Sequence, residues 1–342
     1  MHGSTGLRAF ITGCEGLSLT EAEKRFFREV RPCGFILFKR NCADPDQIRQ
    51  LVASFHEAVG DASALVLIDQ EGGRVQRLRP PQWRNYPPGR LFGNLYQRDP
   101  QKGLNAARMG ARLIARDLAA LGITVNCAPV LDVPVPGAHD IIGDRAYGVT
   151  PEQVVALGRA VIEGYLAGGV LPVVKHIPGH GRACADSHAA LPVIHEPCAA
   201  LEATDFAPFR ALADAPLGMT AHILLPELDS ERPVSTSPAI IRDIIRDAIG
   251  FDGLLMCDDI GMQALSGPIK TRAEAVLAAG CDVVLHCDGK LADMEVVASV
   301  TPELTGEAAR RFQVAIGQLA TPKAFDEAQA EALLAEVLAE TA

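Results

Sequence analysis

The sequence predicts a single-domain (β/α)8 barrel carrying extra helices at its C-terminal end. Three observations carry that expectation. Short apolar runs recur eight times, each followed by a polar or glycine-rich turn and then by a helical pattern. The runs are continuously apolar instead of alternating, as expected of strands buried on both faces. Polar, chemistry-bearing residues stand just after several of the runs, where a barrel of this kind places its active groups.

The eight runs are Arg8–Thr12, Gly34–Phe38, Leu65–Ile68, Thr124–Cys127, Pro172–Val174, Leu217–Thr220, Gly253–Cys257 and Asp282–Leu285. Nine stretches between and after them read as helices. Asp44–Val59 opens on Asp-Pro, a common helix start. Lys102–Leu121 carries an apolar stripe and stops before Gly122. Pro151–Ala167, Cys198–Ala213, Pro238–Ile249 and Lys270–Ala279 follow, and the last two also stop at glycine. Lys290–Ser299, Glu303–Leu319 and Phe325–Glu340 come after the eighth run and are rich in Ala, Glu and Leu. No internal repeat or linker divides the chain, so residues 1–342 read as one domain with a C-terminal helical extension from about residue 290. A doubly wound open sheet is the alternative arrangement of the same elements.

Composition removes several classes of function. The chain has 342 residues, 48% of them hydrophobic, and a formal net charge of −10 with acidic and basic residues interspersed. There is no basic patch interleaved with aromatics, so nucleic acid is not an expected partner. No apolar run approaches the ~20 residues of a membrane span. The N-terminus lacks a basic region followed by an apolar one, so no secretion signal is read. Nine cysteines, at positions 14, 33, 42, 127, 184, 198, 257, 281 and 287, are odd in number and scattered. That usage fits reduced core thiols in a cytoplasmic protein better than disulfides or a zinc site. The oligomeric state is left open.

The stretch Lys175 to Pro192, KHIPGHGRACADSHAALP, fits neither helix nor strand periodicity and reads as a long loop leaving a buried strand. Within it, Asp186 stands two residues before His188. A carboxylate beside an imidazole fixes the ring's tautomer and favours its protonated form, which prepares a proton donor. Other strand ends contribute Asp69, Asn126 and Asp132, Lys175 and His176, His222, Asp258 and Asp259, and His286. Asp258 is the candidate nucleophile, because a carboxylate at a rigid strand end approaches a bound carbon with little freedom to lose. Asp259 suits a structural role such as helix capping. Asp258 and His188 facing one pocket would form the pair that retaining glycoside hydrolysis requires. Asp69 suits sugar hydroxyls, with Gly72 and Gly73 allowing close backbone approach. Arg74 or Arg77 could add donors there, Arg145 in the long fourth loop could reach a carbonyl or carboxylate, and Glu71 is a weaker candidate.

At these residues the chain resembles the bacterial β-N-acetylhexosaminidases of glycoside hydrolase family 3, the cell-wall recycling type. The matching segments are GFILFKRN (34–41), IDQEGGRVQRL (68–78), APVLDV (128–133), IIGDRAYG (141–148), KHIPGHG (175–181), ADSHAALP (185–192), AHILLPELD (221–229) and GFDGLLMCDDIGM (250–262). The resemblance implies Asp258 as nucleophile, His188 as general acid/base on a mobile loop and Asp186 as its dyad partner. It places Asp69, Arg77, Arg145, Lys175 and His176 at sugar-binding positions. It implies removal of terminal β-linked N-acetylglucosamine with retention, from GlcNAc-1,6-anhydro-MurNAc with or without peptide, and no metal or organic cofactor. Cys257 and Gly261 depart from the family's usual Ser, and tuning is expected there instead of loss.

Three alternatives remain at this level. His176, His180, His188 and an Asp could ligate zinc as a metal-dependent hydrolase. The same site could pass the sugar to phosphate as a phosphorylase. A decayed barrel could bind sugar without turning it over, although intact Asp258, Asp186 and His188 argue against that.

Overall fold

Parallel strands laid down in chain order form the centre of the protein. A computed structural model describes residues 5–187 and 189–339. In chain order the strands are β1 (Arg8–Thr12), β2 (Pro32–Leu37), β3 (Leu65–Ile68), β4 (Gln70–Gly72), β5 (Val75–Gln76), β6 (Val125–Asn126), β7 (Leu171–Ile177), β8 (Leu217–Thr220), β9 (Leu254–Cys257) and β10 (Val284–His286). Eight of them pair in parallel as β10-β1-β2-β3-β6-β7-β8-β9. The ring closes by a parallel bridge between Met256 and Val283 and by the Ile260 N–H donating to the Leu285 carbonyl at 3.0 Å. Closure and consecutive order give the (β/α)8 barrel and rule out the doubly wound alternative. β4 and β5 form a separate antiparallel hairpin directly after β3.

The eight apolar runs all become strands because Val, Ile and Leu fill positions buried on both faces, lumen side and helix side. One boundary corrects the sequence reading. The run read as Pro172–Val174 extends over Leu171–Ile177, so Lys175 and His176 lie in the last rungs of the ladder, as strand-end residues, and the loop begins only after Ile177. The segment after β6 explains this. Val130 bridges Lys175 in parallel, and the Leu131 N–H donates to the Lys175 carbonyl at 2.7 Å, prolonging the ladder.

The helices follow their caps. Asp44 accepts from the Gln47 N–H at 3.0 Å ahead of Pro45, and Gly60 ends the same helix at φ +68°. Cys198–Ala213 is not continuous. It divides into Cys198–Ala203 and Ala207–Ala211 where Asp205 turns to accept from Arg182 Nε at 2.7 Å. Pro238–Ile249 is wound as a π-helix over Ile240–Ala248. Glu21–Val30 and Gly89–Arg98 are further helices outside the nine stretches named from the sequence. Leu291–Ala298 completes the eighth β/α unit, and Gly306–Ile316 and Glu327–Ala339 are the added helices. The last packs on Pro100–Ala119, with the Arg116–Glu327 and Lys102–Glu336 ion pairs across the seam. No helix among the described residues is long and apolar enough to cross a membrane.

Candidate active site

The C-terminal ends of the strands open into a cavity of about 520 Å³. Its wall includes Asp69, Glu71, Arg77, Arg145, Lys175, His176 and Asp258, with Phe38, Met219, Ile142 and Leu285 supplying apolar surface. Six of the eight site residues predicted from sequence therefore face one space. Asp186 is half-buried and does not line it, although its neighbour Ser187 does. The Asp186 carbonyl accepts from the Ala189 and Ala190 N–H groups, which turns the chain there. His188 lies outside the described residues.

One side of the cavity is a chain of alternating charges. Lys175 Nζ stands 2.9 Å from Asp69 Oδ1 and 2.7 Å from Glu71 Oε1. Arg77 Nη2 donates to Asp69 Oδ2 at 3.0 Å, and Arg145 reaches Glu71 from the loop after β6. Burial opposes ionisation of Asp69, but Lys175 and Arg77 outweigh it and hold the carboxyl far below its usual range. The same contest, won by Arg145 and Lys175, takes Glu71 down to about 2. Lys175 is 2% exposed, and burial alone would discharge it. Asp69 and Glu71 instead push its pKa above the ordinary lysine value. Glu71, weighted lightly in the sequence, sits at the middle of this chain. Its signal was the DQEGGR hairpin: β4 pairs with β5 and Gly72 adopts φ +108°, pressed against the Pro87 carbonyl.

The opposite side holds the adjacent aspartates at the end of β9. The Asp258 N–H donates to the Thr220 carbonyl at 3.2 Å, which continues the β8–β9 ladder and fixes the backbone. Its Oδ1 accepts the Asp259 N–H at 2.8 Å. Burial raises the carboxyl's pKa, but His176 and His222 pull it down further, so Asp258 stays ionised. Asp259 points elsewhere. Its Oδ1 accepts from Gly261 N–H at 2.9 Å and Cys287 N–H at 3.1 Å. It ties a loop and does not cap a helix, since the next helix begins at Ile269. His222 is a satisfied interior group, with Nδ1 2.7 Å from Ser235 Oγ and Nε2 3.1 Å from the Asp259 carbonyl oxygen.

The histidines of KHIPGHG already have partners. His176 Nδ1 lies 2.7 Å from Asp132 Oδ2, and His180 Nε2 lies 3.3 Å from Ser187 Oγ. Burial and the neighbouring His176 depress His180 to about 4, so it is neutral near pH 7. Cys257 is wholly buried, with its sulfur accepting from the Leu285 N–H at 3.4 Å. Cys184 is exposed, and all nine cysteines are free thiols.

An ionised carboxylate on a rigid strand end, sharing a concave mouth with fixed cations and carboxylates, is the kind of site that (β/α)8-barrel enzymes build at the C-terminal ends of their strands. Residues 16–319 match the family model described as the glycosyl hydrolase family 3 N terminal domain, and the chain belongs to that family. Within it the chain is an enzyme of the bacterial β-hexosaminidase type. It is 38% identical to a beta-hexosaminidase of Bordetella pertussis over 282 residues, which cover 81% of this chain and 79% of that one. It is 39% identical to that of Alkalilimnicola ehrlichii over 286 residues, covering 82% and 81%. The fold superimposes with a TM-score of 0.87 on NagZ from Neisseria gonorrhoeae, solved in complex with N-trifluoroacetyl-D-glucosamine. That match is 30% identical and covers 98% of this chain and 99% of the other.

Proposed function

We propose that the protein removes terminal non-reducing β-linked N-acetylglucosamine by double displacement, with retention. Asp258 attacks the anomeric carbon and forms a glycosyl ester. His188, oriented by Asp186, protonates the departing oxygen and then deprotonates the water that releases the sugar. Asp69, Arg77, Arg145, Lys175 and His176 hold the sugar's hydroxyl and amide groups. The observation that carries this reading is the Asp258 carboxylate, held ionised by His176, His222 and Lys175, lining one cavity with the Lys175–Asp69–Glu71 cluster. A glucosamine derivative bound to the gonococcal relative supports the sugar class. The substrate is GlcNAc-1,6-anhydro-MurNAc, with or without its peptide, and the reaction belongs to cytoplasmic peptidoglycan recycling without metal or organic cofactor. Nine free thiols agree with a reducing compartment. The test is a mechanism-based fluoro-sugar label followed by peptide mapping. Modification of Asp258 is expected, and a label on another residue, or none with active enzyme, rejects the mechanism.

A further inference from the structure

We propose that Asp132 is a positioning residue, a buried carboxylate that sets the tautomer and orientation of His176 and pins the start of the loop after β7. The proposal rests on the sugar-hydrolase reading above, in which His176 contacts the substrate.

Asp132 is 0% exposed. It reaches the site because residues 128–131 run alongside β7: the Val173 N–H donates to the Ala128 carbonyl and the Lys175 N–H to the Pro129 carbonyl. That register delivers Asp132 beside His176. A carboxylate at such depth persists only when its lone pairs are met. Three donors meet them. Oδ2 faces His176 Nδ1 at 2.7 Å, and Oδ1 accepts the His180 N–H at 2.6 Å and the His176 N–H at 3.3 Å. With Asp132 ionised, the proton of a neutral His176 sits on Nδ1, which leaves Nε2 for a ligand. The burial penalty on Asp132 is outweighed by His176 and His180, which keep its carboxyl below the ordinary range.

The loop lies directly on the segment that carries this carboxylate. A Cβ on Gly181 would stand 2.0 Å from the Val133 carbonyl oxygen, so no side chain fits between the two strands of backbone. From His180 the restraint continues through the ring to Ser187 Oγ, and the Ser187 carbonyl accepts the Ala264 N–H at 3.2 Å. One carboxylate thus connects the loops after β6, β7 and β9.

The test is Asp132→Asn, which keeps an acceptor for the His180 N–H but offers His176 Nδ1 a donor. The ring proton must then move to Nε2. In ¹⁵N-histidine-labelled protein, with His176 assigned by its loss in His176→Gln, wild type is expected to show the Nδ1–H or doubly protonated ring and Asp132→Asn the Nε2–H tautomer. On an aryl β-N-acetylglucosaminide kcat is expected to fall ~100-fold with KM changed less. In the His176→Gln background the same substitution is expected to add little further loss. A wild-type His176 protonated on Nε2 alone overturns the proposal without any variant. An unshifted tautomer, kcat within threefold of wild type, or fully additive losses with His176→Gln overturn it as well. Wild type inert on every N-acetylglucosaminide would reject the hydrolase reading instead, while the tautomer result still decides the role of Asp132.

Discussion

Arg145 grips Glu71 as a fork, Nε to Oε2 and Nη2 to Oε1, each at 2.9 Å, with the two side chains 10% and 7% exposed. The pair joins the loop after β6 to the hairpin after β3. It sets one wall of the cavity, and Lys175 shares the same carboxylate. Removing one member of such a buried pair leaves the other charge stranded.

Glu71→Ala is therefore expected to lower unfolding stability by about 3–5 kcal/mol. It is also expected to raise KM, because Arg145 and Lys175 lose the anion that orients them. Urea unfolding and steady-state kinetics check this. A change under about 0.5 kcal/mol, typical of surface substitutions, would remove Glu71 from the structural account.

The same carboxylate predicts a pH dependence. Its pKa is about 2 in the fold against an ordinary 4.5. A carboxyl depressed by folding contributes stability that is present above its unfolded pKa and is withdrawn as pH falls toward the folded one. Stability is thus expected to decline between about pH 4.5 and pH 2, and Glu71→Gln is expected to flatten that decline. Identical slopes in wild type and variant, measured by denaturant titration across this range, would contradict it.

If Asp258 is the nucleophile proposed above, Asp258→Ala lowers kcat by at least ~1000-fold, since the covalent step is then lost. Its melting temperature should stay near wild type, because the Asp258 side chain accepts only the neighbouring Asp259 N–H among the hydrogen bonds described. Turnover surviving within tenfold excludes the nucleophile role.

His188→Ala is expected to damage substrates with poor leaving groups more than activated aryl glycosides, for which protonation matters less. Asp186→Asn should reproduce part of that pattern and displace the pH profile. Equal losses on both substrate types speak against proton donation from this loop.

Gly181→Ala places a methyl group into the Val133 carbonyl. The loop after β7 must lift, and kcat is expected to fall ~100-fold, as for other displaced catalytic elements. Gly137→Ala, where nothing lies within 4 Å but φ is +85°, serves as a comparison that strains backbone away from any close approach. Similar kinetics for the two variants would show that loop contact is unimportant.

The barrel was legible because each strand is a continuous run such as LVLI or LLMC, and buried parallel strands demand such runs. What lay outside that pattern was hidden for physical reasons. Glu21–Val30 has a capping box, with Thr20 and Glu23 exchanging hydrogen bonds, but its residues are mostly charged and its apolar stripe is narrow. The break at Asp205 depends on Arg182, an ion pair across 23 residues that no local propensity reveals. Asp69, Lys175, His176 and Asp258 were readable as polar residues at strand ends. Glu71 read only as a weak candidate and Asp132 only as one more polar residue after a strand, since their weight comes from partners 74 and 44 residues away.

Asp259 has an effect beyond its own contacts. By accepting from both Gly261 and Cys287 it stitches the last two staves of the barrel where the cylinder meets itself. Asp258, the proposed nucleophile, is its immediate neighbour in the chain, so any slackness at that join would tilt the Asp258 carboxylate before it unravelled the cylinder. Damage to this stitch should surface first as lost chemistry in a protein that still looks whole.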